Sequence, residues 1–336
     1  MLPAAFWPAA FTSAAQNRCA ALAAKGLVAG TTLAAQADAA LAKLNAYGWQ
    51  AETDFFHQSH FRFATNAIAV TYVNTYGRFS VTDSVCGFSM ANTTATGDVT
   101  AQVAATQAGL FASGNGIPPT GGVNLVYNPS VGGAKLDFLA TSPSSGTADF
   151  SLDGALCLRA LATGKDEATG AALTGTRKAQ SDRVIAGVNA VQLAAKLRGK
   201  PTVIVAGRSD TLLPVNHTAR AYFGKNQLTD SASDAAQVRY IEVTNAQHFD
   251  TFLAFGAALG YDTRTVPLHP YLHQALNAVW SHLTTGAALP ASQVVRTTPR
   301  ATSTTALTAA NVPAIAATPA AGDRIVVTGM TLKVPD

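Results

Sequence analysis

The sequence predicts an α/β fold: the C-terminal part of a parallel sheet, with a large helical and loop-rich region ahead of it. Three observations lead there. Two β-rich runs, TVIVA at 202–206 and VRYIEV at 238–243, alternate with helical stretches, as strands of a parallel sheet do. The first fifty residues are dense in Ala and Leu at helical spacing. Between them, residues 88–170 are rich in Gly, Ser, Thr, Asn and Pro, with only short apolar pieces.

Taken in order, residues 14–24 and 33–47 read as two helices, the second with Leu33, Ala37, Leu41 and Leu44 on one face. The apolar opening, residues 1–15, lacks a positive leader and carries Pro3 and Pro8, so it reads as the start of a buried segment and not as an export signal. AIAVTYV at 67–73 fits a strand or a buried helix, and periodicity does not arbitrate at that length. The stretch 88–170, including GNGIPPTGG at 114–122 and SPSSG at 142–146, is far longer than an ordinary connection of about 4 to 6 residues, so it is assigned to a cap or insertion.

Regular alternation follows: a helix over about 177–197, a turn at 198–200, the first strand, a loop with Asp210, a helix from near Asn216, the second strand, a loop with His248, and a helix from Asp250. Residues 268–283 make a last amphipathic helix, in which Pro270 suits the first helical position. Beyond Leu289 the composition turns to Ala, Thr and Pro, expected as a mobile linker, with RIVVTGM at 324–330 as a short docked strand. The expected regions are therefore 1–170 (cap), 171–288 (core strands and helices) and 289–336 (linker and terminal strand).

Composition narrows the function. With 48% hydrophobic and 12% charged residues, the chain can bury a core. The net charge of +4 is scattered over 23 basic and 19 acidic side chains without a like-charge run, which argues against a nucleic-acid partner. No apolar run approaches the roughly 18 residues of a membrane span. Cys19, Cys86 and Cys157 are too far apart for a zinc or redox motif; a Cys86–Cys157 bridge is conceivable in an exported protein, and three buried thiols are the plainer expectation.

The chemistry is expected at strand ends, where the loops of an open parallel sheet line a crevice. Asp210 follows the first strand in AGRSD, and His248 follows the second in TNAQH. An acid followed by a histidine on successive loops matches the α/β-hydrolase arrangement, in which the serine comes first in the chain. Either residue alone reads as a cap, a turn former or a satisfied loop side chain; the pairing favours an acid orienting a base. Asp250 reads as the N-cap of its own helix and Asn245 as a turn former.

A nucleophile is harder to find. No GxSxG occurs, and the nearest match, Gly87-Phe88-Ser89-Met90-Ala91, lacks the buried strand before the serine and the helix after it. Ser89 is thus a loop serine in the main reading and the nucleophile of a complete small esterase in the alternative. The pairs His57/His60 and His269/His273 have helical spacing but no third ligand, so no metal is expected. GNGIPPTGG lacks the ending of a phosphate loop, and no cofactor is expected.

Longer strings carry a resemblance. AGRSDTLLPVNHTARAYF (206–223), YIEVTNAQHFDTFL (240–253), GNGIPPTGGVNLVY (114–127), LPAAFWPAA (2–10) and LKVPD (332–336) resemble bacterial D-(-)-3-hydroxybutyrate oligomer hydrolases. The resemblance implies a cofactor-free serine esterase that cuts (R)-3-hydroxybutyrate oligomers to monomers, in an extracellular or periplasmic setting, with Asp210 and His248 as acid and base. It also implies a family about twice this length whose serine lies upstream in a Ser-x-Ser-Asn-Gly-Gly-like segment. No such segment occurs in these residues, so the chain is expected to be a C-terminal half holding the last two sheet strands and needing a serine-bearing N-terminal half. An inactive polyester-binding fragment is the non-enzyme alternative.

Overall fold

In a computed structural model the chain is described at residue 4 and over residues 7–105, 123–248, 250, 253 and 256–336. It divides into two compact units, one of residues 4–42 and 61–192, the other of residues 43–60 and 193–336. The Gly-rich segment at 114–122 lies outside the described residues.

In the first unit, helices α1 (Ala9–Ala24) and α2 (Leu33–Ala46) fall where the Ala/Leu spacing puts them, α2 ending in the other unit. Phe11 and Ala14 of α1 are buried against Phe138 and Phe150, so the apolar opening does begin a packed segment. AIAVTYV is helical, within α3 (Asn66–Gly77), and buries Val70 and Val73 on one face. The stretch expected as loop-rich builds a sheet: β1 (Phe88–Thr93), β2 (Val99–Thr100), β3 (Asn124–Tyr127) and β4 (Lys135–Leu136), antiparallel in the order β2-β1-β3-β4. Strands this short, with polar residues between the apolar ones, give no readable alternation.

Helix α4 (Leu152–Thr163) and helix α5 (Gly175–Ala190) complete this unit, their Leu158, Leu161 and Val184 packing with Val70, Phe88 and Leu125. The expectation of three thiols is corrected. Cys86 and Cys157 form a disulfide, their Cα atoms 5.5 Å apart, joining the turn Val85–Gly87 to α4; only Cys19 is free. A sequence separation of 71 residues hides that proximity.

The helix α5 ends at Ala190 and not near Leu197. The following residues are held otherwise: Ala195 takes a φ of 57°, and its carbonyl accepts from Asn226 Nδ2 at 2.8 Å. Here tertiary hydrogen bonding overrides helix propensity.

The second unit holds the predicted parallel sheet. Strands β5 (Thr202–Gly207), β6 (Val238–Val243) and β7 (Gln293–Val295) are parallel, in the order β5-β6-β7, with Thr202 opposite Val238 and Gly207 opposite Val243. Helix α6 (Ala219–Thr229) and helix α7 (His269–Thr285) cover opposite faces. Because strand side chains alternate, Ile204, Ala206, Val238, Tyr240 and Val294 pack with Phe223 of α6, while Val203, Val205, Ile241, Val243 and Val295 pack with Tyr271 of α7. Two-sided burial is why residues 203–206 read as a continuous apolar run.

Three corrections concern this unit. Among the described residues the sheet has three strands and not two, because QVV within the Ala/Thr/Pro stretch pairs with β6. The tail is docked: Val312 and Ile315 pack in the core, Ile325 is buried, Arg324 bridges to Gln293, and β8 (Val326–Thr328) pairs with β9 (Thr331–Lys333) as a hairpin. Single apolar residues spaced through a low-complexity background carry that packing without a periodic signal. Pro270 is the second residue of α7 and not its first.

One buried carboxylate links this unit. Glu242, fully buried in β6, accepts hydrogen bonds from Arg208 Nε (2.5 Å), Arg220 Nε (2.8 Å), Arg220 Nη2 (2.6 Å) and Tyr240 Oη (2.6 Å). Burial alone would raise its pKa. The hydrogen bond from Arg220 and the charges of Arg208 and Arg220 outweigh that and hold the carboxyl below its usual 4.5. Glu242→Ala leaves two arginines without their partner and should cost about 3–5 kcal/mol, read as a lower urea midpoint. With a depressed folded pKa, Glu242's ionic contribution is present above pH 4.5 and fades as the pH falls below it, so the gap between wild type and variant should shrink in acid.

Candidate active site

The site grows from the ends of β5 and β6. Both strands stop in register, Gly207 opposite Val243, so the loops that follow leave from the same edge. They then touch: Arg208 N–H donates to Val243 O (2.8 Å) and Ser209 N–H to Ala246 O (3.0 Å). The approach is so close that a Cβ on Gly207 would lie 2.3 Å from Ala246 O, which only glycine avoids.

That contact brings the two predicted residues together. His248 Nδ1 donates to Asp210 Oδ2 at 2.8 Å. A carboxylate can only accept, so the ring proton sits on Nδ1 and, in the neutral imidazole, the lone pair is on Nε2. Asp210 is itself fixed: its Oδ1 accepts from the backbone N–H groups of Leu212 and Leu213, both at 2.8 Å, and the residue is 8% exposed. The Asp210 hydrogen bond raises the pKa of His248 above its usual 6.5; burial opposes it, and the Asp210 charge adds to it.

Asn245 is the turn former expected, with a φ of 55°, and its side chain donates to Thr297 O at 3.0 Å. Asp250 is structural but caps a different helix: its Oδ1 accepts from Leu268 N–H (2.7 Å) and its Oδ2 from His269 N–H (2.8 Å), at the start of α7. Charge placed at a helix N-terminus is favourable there.

Ser89 is not on an elbow. It is the second residue of β1, opposite Val126, and the strand continues through Thr93; its hydroxyl donates to Asn128 Oδ1 at 2.8 Å. A sharp strand-to-helix turn, which an elbow serine needs, is missing at that position.

Sequence reasoning missed Glu52, in the short 3-10 helix Ala51–Phe56. Its Oε1 accepts from the Ser209 hydroxyl and, at 3.0 Å, from Asn245 N–H, touching the loop of Asp210 and the loop of His248 at once. Nothing in AETDFF signals this, because the contact spans more than 150 residues of sequence. The segment around it is anchored by Asn216 Nδ2 donating to Gly48 O (2.9 Å) and His217 Nε2 donating to Tyr47 O.

His57 and His60 lie beside this segment. Burial, then the neighbouring His57, push His60 down to about 4, while Asp210 pulls the other way, so His60 is neutral near pH 7. His269 and His273 meet ring to ring, centroids 5.1 Å apart. Among the described residues no three His, Cys, Asp or Glu side chains gather as a metal-holding group, and no helix is long and apolar enough to cross a membrane.

An imidazole held through Nδ1 by a carboxylate, at the ends of neighbouring parallel strands, is an arrangement that can take up and return a proton. The sequence model of the 3HB-oligomer hydrolase family matches residues 2–336, and the chain belongs to that family. It is 47% identical over 335 residues to a D-(-)-3-hydroxybutyrate oligomer hydrolase of Azoarcus sp. (strain BH72), covering 99% of this chain and 46% of the relative. It is 49% identical over 327 residues to the protein of that name from Paracidovorax citrulli (strain AAC00-1), covering 96% and 44%. The chain thus spans about half the length of the curated relatives it matches. No solved structure matches it.

The pair predicts a titration. By NMR the His248 ring should titrate above 6.5, and Asp210→Asn should move its midpoint down, because burial then acts without the carboxylate. A raised folded pKa means the stabilisation is fully present below the unfolded value of 6.5 and is lost as pH rises through the folded one. An unchanged midpoint in Asp210→Asn would contradict the pairing.

Proposed function

We propose that this chain supplies the acid and the base of a serine-type carboxylic ester hydrolase that cuts (R)-3-hydroxybutyrate oligomers to monomers. The single observation carrying this reading is the 2.8 Å hydrogen bond between His248 Nδ1 and Asp210 Oδ2 at the ends of β5 and β6. Nε2 of His248 takes the proton of a serine hydroxyl as it attacks the ester carbonyl, Asp210 stabilises the imidazolium, and the protonated ring returns the proton to the departing alkoxide. Water activated by the same ring then cleaves the acyl-enzyme. The substrate is taken from the names of the relatives.

The serine comes from sequence that the relatives have and these residues do not, within an α/β-hydrolase-type sheet. The open edge of β5 supports this. Val203, Ile204, Val205 and Ala206 of β5 pack on the two faces yet stay partly exposed, and among the described residues β5 is the terminal strand of its sheet. On α7, which packs on β5, Leu272, Leu276, Trp280 and Leu283 form an exposed row, Trp280 at 68%. A further parallel strand beside β5 covers both and brings its own C-terminal end toward Asp210.

The test is to co-express the chain with a serine-bearing N-terminal half from a relative and to assay release of 3-hydroxybutyrate from the dimer or trimer. Turnover should appear, fall on the order of 10⁴-fold in Asp210→Asn, and be lost in His248→Ala. Turnover that survives His248→Ala overturns the reading.

A further inference from the structure

We infer that Glu52 is a positioning residue: one carboxylate oxygen ties the loop carrying Asp210 to the loop carrying His248 and so sets the geometry of the pair. The inference rests on the acid–base reading above and adds a residue to it. The Ser209 hydroxyl that donates to Glu52 Oε1 is the neighbour of Asp210, and the Asn245 N–H that donates to the same oxygen is three residues before His248. Each loop leaves its own strand and contains residues in irregular conformation, so each could move against the other while the strands stay paired.

Other contacts limit what the tie must do. Ser209 N–H to Ala246 O already holds the loop bases at 3.0 Å, and the Oδ1 contacts of Asp210 fix that carboxylate within its own loop. Asn245 is different. Its left-handed backbone, φ 55°, redirects the chain just after its N–H, and Glu52 Oε1 is the acceptor that this N–H meets. The tie therefore sets the direction in which the chain leaves the turn toward His248. Glu52 is brought there by the segment that Asn216 and His217 hold through Gly48 and Tyr47. It is not a cause of the raised His248 pKa, which traces to Asp210, so it acts through geometry and not through charge.

The experiment compares Glu52→Ala, Glu52→Gln and Ser209→Ala in the full chain, reading the His248 imidazole titration by NMR. Glu52→Ala should move the midpoint down toward 6.5, Ser209→Ala should move it part of the way, and Glu52→Gln, which keeps a carbonyl acceptor, should restore it. In the co-expressed enzyme Glu52→Ala should lower kcat by about 10²-fold, the scale of an ångström-size misplacement, with KM unchanged. A wild-type midpoint and kcat in Glu52→Ala overturn the inference, and so does Glu52→Gln behaving like Glu52→Ala, since charge would then be what matters. Should Glu52→Ala fail to fold, Ser209→Ala and Glu52→Gln still decide it. Asp210→Asn keeps the two readings apart: if it shifts the midpoint and no Glu52 or Ser209 variant does, the pair stands and the tie falls.

Discussion

The second unit depends on one carboxylate buried where a carboxylate is hardest to keep. Glu242 occupies a core position of the central strand, and it is tolerated because two guanidinium groups and a phenol hydroxyl meet it from three elements. Its partners are not incidental to the site. Arg208 is the first residue beyond β5 and stands two before Asp210, and its Nη2 also donates to Pro335 O at 2.7 Å. The loop carrying Asp210 is therefore fastened at its root to the central strand and to Pro335. A neutral, apolar residue at 242 would be cheaper to bury, but it would leave the stem of that loop without an anchor.

The site shows the same economy of means. Two short loops are held by backbone contacts at their bases, by side chains within each, and by a distant glutamate between them. Each layer restrains one degree of freedom: separation, carboxylate orientation, exit direction. Groups held in this way need little rearrangement when a proton moves between them.

Much of this was legible in the sequence, and what was legible shares a physical cause. TVIVA and VRYIEV stand out because helices cover both faces of the sheet, and Asp210 and His248 stand out because they fall just past those runs. The antiparallel strands β1 to β4 left no such mark, being two to six residues long and partly polar. Glu52 was illegible for a different reason: its role exists only after residues far apart in the chain have met. The docking of the tail hides similarly, since Val312, Ile315 and Ile325 contribute one at a time, and Asp250 was placed at the right kind of task on the wrong helix because a cap need not be local.

The bond between Cys86 and Cys157 has a practical corollary. Thiol oxidation is set by the compartment in which a polypeptide matures, so material made in a bacterial cytosol and material secreted by the same cells are two covalently different molecules. The turn at Val85–Gly87 would be stapled to α4 in one and merely adjacent to it in the other. Preparations of this chain are comparable between laboratories only when their oxidation history is matched.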